Sequence, residues 1–191
     1  MNPLSVSDLD LSPPPFAEGL DDWSRGDGTP DSPTYEDSPG ARIVGDDPDF
    51  GSCLELRKIA PLQRLRYMGE VPIRRGACVE VIARVKVLRA PLMRAQISAW
   101  PGGAHGRGVA DLPTTGPVGE VGALDEVLTL CAVIGPEVRP GIDLVWDARA
   151  IYAHVGLDLL GPIGGVIRIA DLRLRDVTRR VLGRGPALPG F

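Results

Sequence analysis

The residues best suited to chemistry fall into two clusters. Trp100 stands at the head of Pro101-Gly102-Gly103-Ala104-His105-Gly106-Arg107-Gly108, so an indole, an imidazole and a guanidinium share one glycine-rich loop. Trp146 stands beside Asp147 and Arg149, close to Tyr152 and His154. A flat aromatic face takes the apolar side of a sugar ring, and forked or planar polar groups bind the hydroxyls at its rim. Trp100, His105, Arg107, Trp146, Tyr152 and His154 are therefore the candidate carbohydrate-binding residues. The alternative is that Trp100 and Trp146 close the ends of a hydrophobic core. Trp23 is read as structural. In an extended segment successive side chains alternate between faces. Over residues 151–159, Tyr152 and His154 then share one face with Asp158, while Ile151, Ala153, Val155, Leu157 and Leu159 share the other. Arg64 and Arg66 similarly stand opposite Leu65 and Tyr67.

Catalytic patterns are absent. No motif ties His105 or His154 to a nucleophile, and the glycines of 102–108 do not lead from a strand into a phosphate-binding helix. Asp21-Asp22 and Asp46-Asp47 read as loop acids. The expectation is a protein without enzymatic activity, although two carboxylates facing each other across a cleft would make a glycosidase. Cys53, Cys78 and Cys131 form no CxxC pair, and their strand-like surroundings predict buried free thiols in a reducing compartment. The net charge of −4 argues against a nucleic-acid partner. The arginines at 173, 175, 179, 180 and 184 read as solvated. Residues 1–15 lack the pattern of a secretory signal, and no apolar run is long enough to span a membrane.

The elements that must position these residues are strands. Gly (24) and Pro (19) exceed a fifth of the 191 residues, which favours many turns over long helices. Alternation marks strands at 53–58, 62–68, 78–88 and 94–100. Residues 126–134 are apolar on both faces, as for a central strand. Residues 142–147 and 151–159 look like a pair, and 165–177 closes the sheet. In that last segment the inward set shifts from Ile167 and Ile169 to Leu172 and Leu174, which calls for a β-bulge near Ala170-Asp171. Residues 24–51 read as a long surface loop with a short strand at 41–44, and 119–126 as a short helix. Eight or so short strands bounded by turns predict an all-β protein, a jelly-roll β-sandwich over 16–180. An extended N-terminal arm occupies 1–15 and a loop-like tail 181–191. Leu4, Val6, Leu9 and Leu11 give the arm spaced apolar side chains for attachment to a partner.

Phe16-Ala17-Glu18-Gly19-Leu20-Asp21-Asp22-Trp23 at the opening, the turn at Gly76 before Val79–Val87, and the late Asp171 resemble the carbohydrate-binding modules that cap many polysaccharidases. The likeness runs over about residues 16–177 and implies a jelly-roll that binds rather than catalyses. Those modules often hold a structural calcium through an acid directly after the first aromatic, together with the late Asp. Here Ala17 takes that place and the acid is displaced to Glu18, which alternation puts on the opposite face. Calcium needs about six to eight oxygen ligands, so no metal or cofactor is expected, with calcium the one candidate.

A closer resemblance lies in residues 14–30, in Asp49-Phe50-Gly51-Ser52-Cys53-Leu54-Glu55-Leu56 and in Leu65-Arg66-Tyr67-Met68-Gly69. These look like surface proteins of alphaproteobacterial gene transfer agents and related phages. That resemblance implies a head spike on a phage-like particle, assembled in the bacterial cytoplasm. Its implied partners are further copies of itself (a pentamer), the capsid protein, a second spike or fibre protein, and host capsular polysaccharide. The alternatives are a free-standing carbohydrate-binding module and a small polysaccharide-active enzyme.

Overall fold

The computed structural model of the chain describes residues 9–26, 32–90, 93–102, 114–120 and 124–183, with backbone only at 98–102 and 114–120. In chain order the elements are β1 (Leu9–Asp10), a 3-10 turn (Phe16–Glu18), β2 (Trp23–Ser24), β3 (Ala41–Asp47), β4 (Gly51–Arg57), β5 (Leu62–Tyr67), β6 (Val71–Pro72), β7 (Val79–Arg89), β8 (Arg94–Gly102), β9 (Thr114–Glu120), β10 (Val127–Gly135), β11 (Leu144–Val145), β12 (Tyr152–Leu160), β13 (Val166–Ile169), β14 (Arg173–Asp176) and α1 (Thr178–Leu182). They form two sheets. The first runs β1-β14-β7-β13-β4-β3, with β10 also on β7 and β11 on β10. The second runs β2-β5-β12-β8-β9, with β6 also on β12. Together they make a jelly-roll β-sandwich.

Alternation explains the core. Val79, Val81, Ala83, Val85 and Val87 all point inward from β7, and none is more than 1% exposed. They meet Leu65, Ala95, Ile97, Val155, Leu157 and Leu159 of the second sheet in one cluster. β-Branched side chains suit such a pleated, half-buried surface. Phe16 and Trp23 close the core beside the chain's entry, with ring centroids 4.6 Å apart, and Trp23 lies 5.5 Å from Tyr67.

The closing segment is two strands on one edge of β7. Ile169 pairs with Val85 and Arg173 with Ile82. Four steps along the closing segment thus match three along β7, and one extra residue is inserted between Ala170 and Leu172. This is the expected bulge, and it turns Leu172 and Leu174 into the core, where they are 2% and 0% exposed.

Several expectations are corrected. The opening is a 3-10 turn followed by a two-residue strand, so Ala17 and Glu18 are not on opposite faces of a strand. The 24–51 loop contains the whole of β3, which pairs with β4 as a hairpin. Residues 142–147 do not pair with 151–159: β11 pairs in parallel with β10, while β12 lies between β8 and β5. β10 buries one face only, and Thr129 and Cys131 on the other are exposed. Cys131 is therefore not the buried thiol expected, whereas Cys53 and Cys78 are. Residues 114–120 are strand and 124–125 turn, not helix. Thr178–Leu182 form a short helix that alternation did not indicate. No helix among the described residues is long and apolar enough to cross a membrane.

Candidate functional site

Because β12 is the central strand of its sheet, its outward side chains lie among those of β5 on one side and β8 on the other. Register sets the rows. Arg64, Asp158 and Gln96 stand abreast, as do Arg66, Gly156 and Ser98, and His154 pairs with Trp100. Leu62, Leu160 and Arg94 form the end row, with Glu120 of β9 beyond Arg94.

Gly156 organises the middle of this face. A Cβ there would come within 1.9 Å of the Leu65 carbonyl oxygen, so the strands approach more closely than any side chain permits. The dent is filled by Arg66, which stands opposite and is only 1% exposed. Its guanidinium donates to the Leu157 carbonyl at 2.8 Å and to Asp158 Oδ1 at 2.5 Å. Burial lowers the Arg66 pKa, and Asp158 only partly offsets this, leaving it at about 10. Burying this cation is tolerable because carboxylate and carbonyl acceptors surround it.

Tyr152 and His154 occupy the other end of β12. Both are half-buried and meet edge to face, with ring centroids 5.7 Å apart. His154 Nδ1 is buried and has no hydrogen-bond partner among the described residues. A buried nitrogen of this kind normally has one. The arrangement thus offers two half-buried rings and neighbouring guanidiniums on one sheet face.

On the outer face of the first sheet a run of ion pairs joins six charged residues. Arg42 holds Glu55 at 2.6 Å, Glu55 and Asp47 both hold Arg168, and Lys86 bridges Asp47 and Asp49 at 2.8 Å each. Burial pushes the Asp47 pKa up. Hydrogen bonds from Lys86, Arg168 and the amides of Asp49 and Phe50 outweigh that and hold it far below the ordinary carboxylate value. Such a ladder ties β3, β4, β13 and β7 together, and two cavities flank it, one lined by Arg42, Glu55 and Arg57 and the other by Phe50, Arg84, Asp171 and Arg173.

The sequence-derived candidates separate in space. Tyr152 and His154 come together, with Trp100 across from His154 in register. Trp146 is 5% exposed and belongs to the core, so it is not a binding platform. Its neighbours form a local turn in which Arg149 grips Asp147 at 2.6 Å, and that hydrogen bond holds the Asp147 pKa down at about 2. His105 and Arg107 lie outside the described residues, as do Leu4 and Val6. Leu9 is exposed on β1, whereas Leu11 packs on this chain's own core. Sequence reasoning missed Arg94 and Gln96, although their alternation with Ala95 and Ile97 was a sufficient signal.

Asp171, projected by the bulge, accepts the Phe16 amide at 2.8 Å, linking the opening and closing segments directly. Among the described residues no three His, Cys, Asp or Glu side chains are grouped to hold a metal ion.

With this geometry in hand, comparison with known proteins places the chain by fold. No family model matches it. No curated protein matches its sequence. Among solved structures it is similar to the Clostridium thermocellum xylanase 10B fragment carrying CBM22-1 and GH10 modules, complexed with xylohexaose (TM-score 0.59, 9% identity, 97% of this chain and 30% of that one). It is also similar to TmCBM61 in complex with β-1,4-galactotriose (TM-score 0.52, 12% identity, 85% of this chain and 94% of that one). A phage CBA120 tailspike protein 4 domain aligns at TM-score 0.48 and 17% identity, over 83% of this chain and 20% of that one. The class is thus the carbohydrate-binding-module-like β-sandwich. At these identities the likeness is one of fold.

Proposed function

We propose that this protein is a non-catalytic glycan-binding component of a phage-like particle, a head spike of the gene-transfer-agent type. It takes a polysaccharide along the outer face of β5, β12 and β8. The observation that carries the glycan reading is the Tyr152–His154 pair: two half-buried rings meeting edge to face on the outer side of β12, opposite Trp100 in register. The same fold occurs in modules solved with xylohexaose and β-1,4-galactotriose, which supports a sugar as ligand. The particle role is supported by the sequence resemblance in residues 14–30, 49–56 and 65–69. In this reading the N-terminal segment attaches to the capsid, the protein is a pentamer that also meets a second spike or fibre protein, and the glycan belongs to a cell surface.

Glycan arrays and affinity electrophoresis test the site. Tyr152→Ala and His154→Ala are each expected to weaken binding about tenfold, the loss of roughly one good hydrogen bond or ring contact. Unchanged binding by both variants would remove this face from consideration. Labelled antibody against the protein should decorate particle heads in electron micrographs, and undecorated particles would sink the particle role.

A further inference from the structure

We infer that the cavity over the bulge of the closing segment is a second binding site, for a sugar acid such as a uronate. It lies on the first sheet and is independent of the glycan reading of the face of β5, β12 and β8. The cavity measures about 110 Å³, room for several water molecules. Ile82, Ala170 and the Phe50 ring give it an apolar lining, and Arg84, Arg173 and Asp171 a charged one. Register sets the two arginines beside the bulge. Arg173 of β14 stands opposite Ile82. Arg84 follows two residues further along the same face of β7, where its carbonyl accepts the Ala170 amide at 3.0 Å.

Donors outnumber acceptors in this cavity. Each guanidinium carries several N–H donors in a fixed fork. Arg173 is exposed and makes no hydrogen bond or ion pair with a described residue. Arg84 lies 5.0 Å from the centre of the Phe50 ring, and its polar contact is a long one, 3.4 Å to the Asp49 carbonyl. The Asp49 carboxylate is held by Lys86 at 2.8 Å. What the cavity offers in return is the Ser52 hydroxyl and the second oxygen of Asp171, whose Oδ1 accepts the Phe16 amide. Two guanidiniums with so few acceptors between them match the oxygens of a carboxylate. The contact with Phe50 fixes Arg84 before a ligand arrives, which lowers the ordering cost of binding. The apolar lining calls for carbon beside the charge, which a bare inorganic anion lacks and a uronate ring has. Asp171 repels a carboxylate and accepts a hydroxyl, so it turns the acid group of the ring toward the arginines. The larger cavity of this face, about 260 Å³, is less suited: its Arg42 is already bound to Glu55 at 2.6 Å, which leaves Arg57 to meet an anion by itself.

The isotope-labelled full-length protein is titrated by NMR with galacturonate, galactose, acetate and inorganic phosphate at physiological salt. Galacturonate is expected to shift the amides of Ile82, Ala170 and Arg173, and to bind at least about tenfold more tightly than the other three. Arg173→Gln and Arg84→Gln should each remove about tenfold of that affinity, as for one charge-assisted hydrogen bond. Arg173 is exposed, so its variant reports on binding even if Arg84→Gln, which also loses the contact with Phe50, disturbs folding. Galactose binding as tight as galacturonate overturns the proposal, because the arginines then read no carboxylate. Acetate or phosphate binding as tight overturns it by showing a general anion site. Shifts confined to Tyr152 and His154 overturn it in favour of the glycan face on the second sheet. No shift at the cavity residues, or an affinity that neither variant lowers, overturns it and leaves the glycan reading standing.

Discussion

At the scale of single residues, the face of the second sheet depends on a substitution-intolerant pair. Gly156 is required because the Leu65 carbonyl occupies the space of a Cβ, and Arg66 is required because it fills the resulting dent. Removing one member of a buried ion pair leaves the other charge without compensation, which typically costs about 3–5 kcal/mol. Arg66→Ala is thus expected to shift the denaturant midpoint by several kcal/mol of stability. A loss under about 1 kcal/mol in urea unfolding would show that the guanidinium does not organise this face. Much of this was legible in the sequence. Alternation placed Tyr152, His154, Asp158, Arg64 and Arg66 on outward positions, as the structure finds. It did not distinguish an outward side chain from an exposed one: Arg66 points outward yet is 1% exposed, because its neighbour has no side chain. Trp146 was misread for the opposite reason. Its polar neighbours Asp147 and Arg149 satisfy each other in a turn and say nothing of where the indole goes.

At the scale of elements, the inserted residue in the closing segment links sequence to architecture. Without it the inward set Ile167 and Ile169 would continue to Asp171 and Arg173 and bury charge. With it Leu172 and Leu174 reach the core and Asp171 is released toward the Phe16 amide. That hydrogen bond fastens the entering chain to the closing one. Asp171→Ala would strand a buried amide, at about 1–2 kcal/mol, or a fall of some 2–8 °C in Tm for a chain of this size. Chelator is expected to leave the wild-type Tm unchanged, since a bound ion would have stabilised the fold by mass action. A Tm that drops in chelator and recovers with calcium would show that a metal site does exist. The bulge could be read from the sequence because the inward periodicity breaks at one place. Topology could not. Alternation reports which side of a strand is apolar, not which strand lies beside it, so β10 was read as central and β11 was assigned to the wrong partner. The β3–β4 hairpin was hidden by Gly45, Asp46 and Asp47, turn-forming residues that here sit at a register shift in a paired strand.

At the scale of the whole molecule, the described chain begins and ends side by side. Leu9 pairs with Asp176, and α1 starts at Thr178. Both ends of the described chain therefore lie at one end of the sandwich. The opposite end carries the turns at 58–61 and 161–165, joined through Lys58, whose amide donates to Gly165 and whose carbonyl accepts from Gly164. Attachment through residues 1–8 would hold the domain by one end and leave the face of β5, β12 and β8 free for a ligand. A protein beginning at Leu9 retains every described element, so its fold and glycan affinity should match those of the full chain. If the proposed spike assembles through the arm, light scattering will give a pentamer mass for the full-length protein and a monomer mass for the shortened one. A pentamer in both would move the assembly contact onto the sandwich. A monomer in both, together with absence from particles, would leave a glycan-binding module with no role in a capsid.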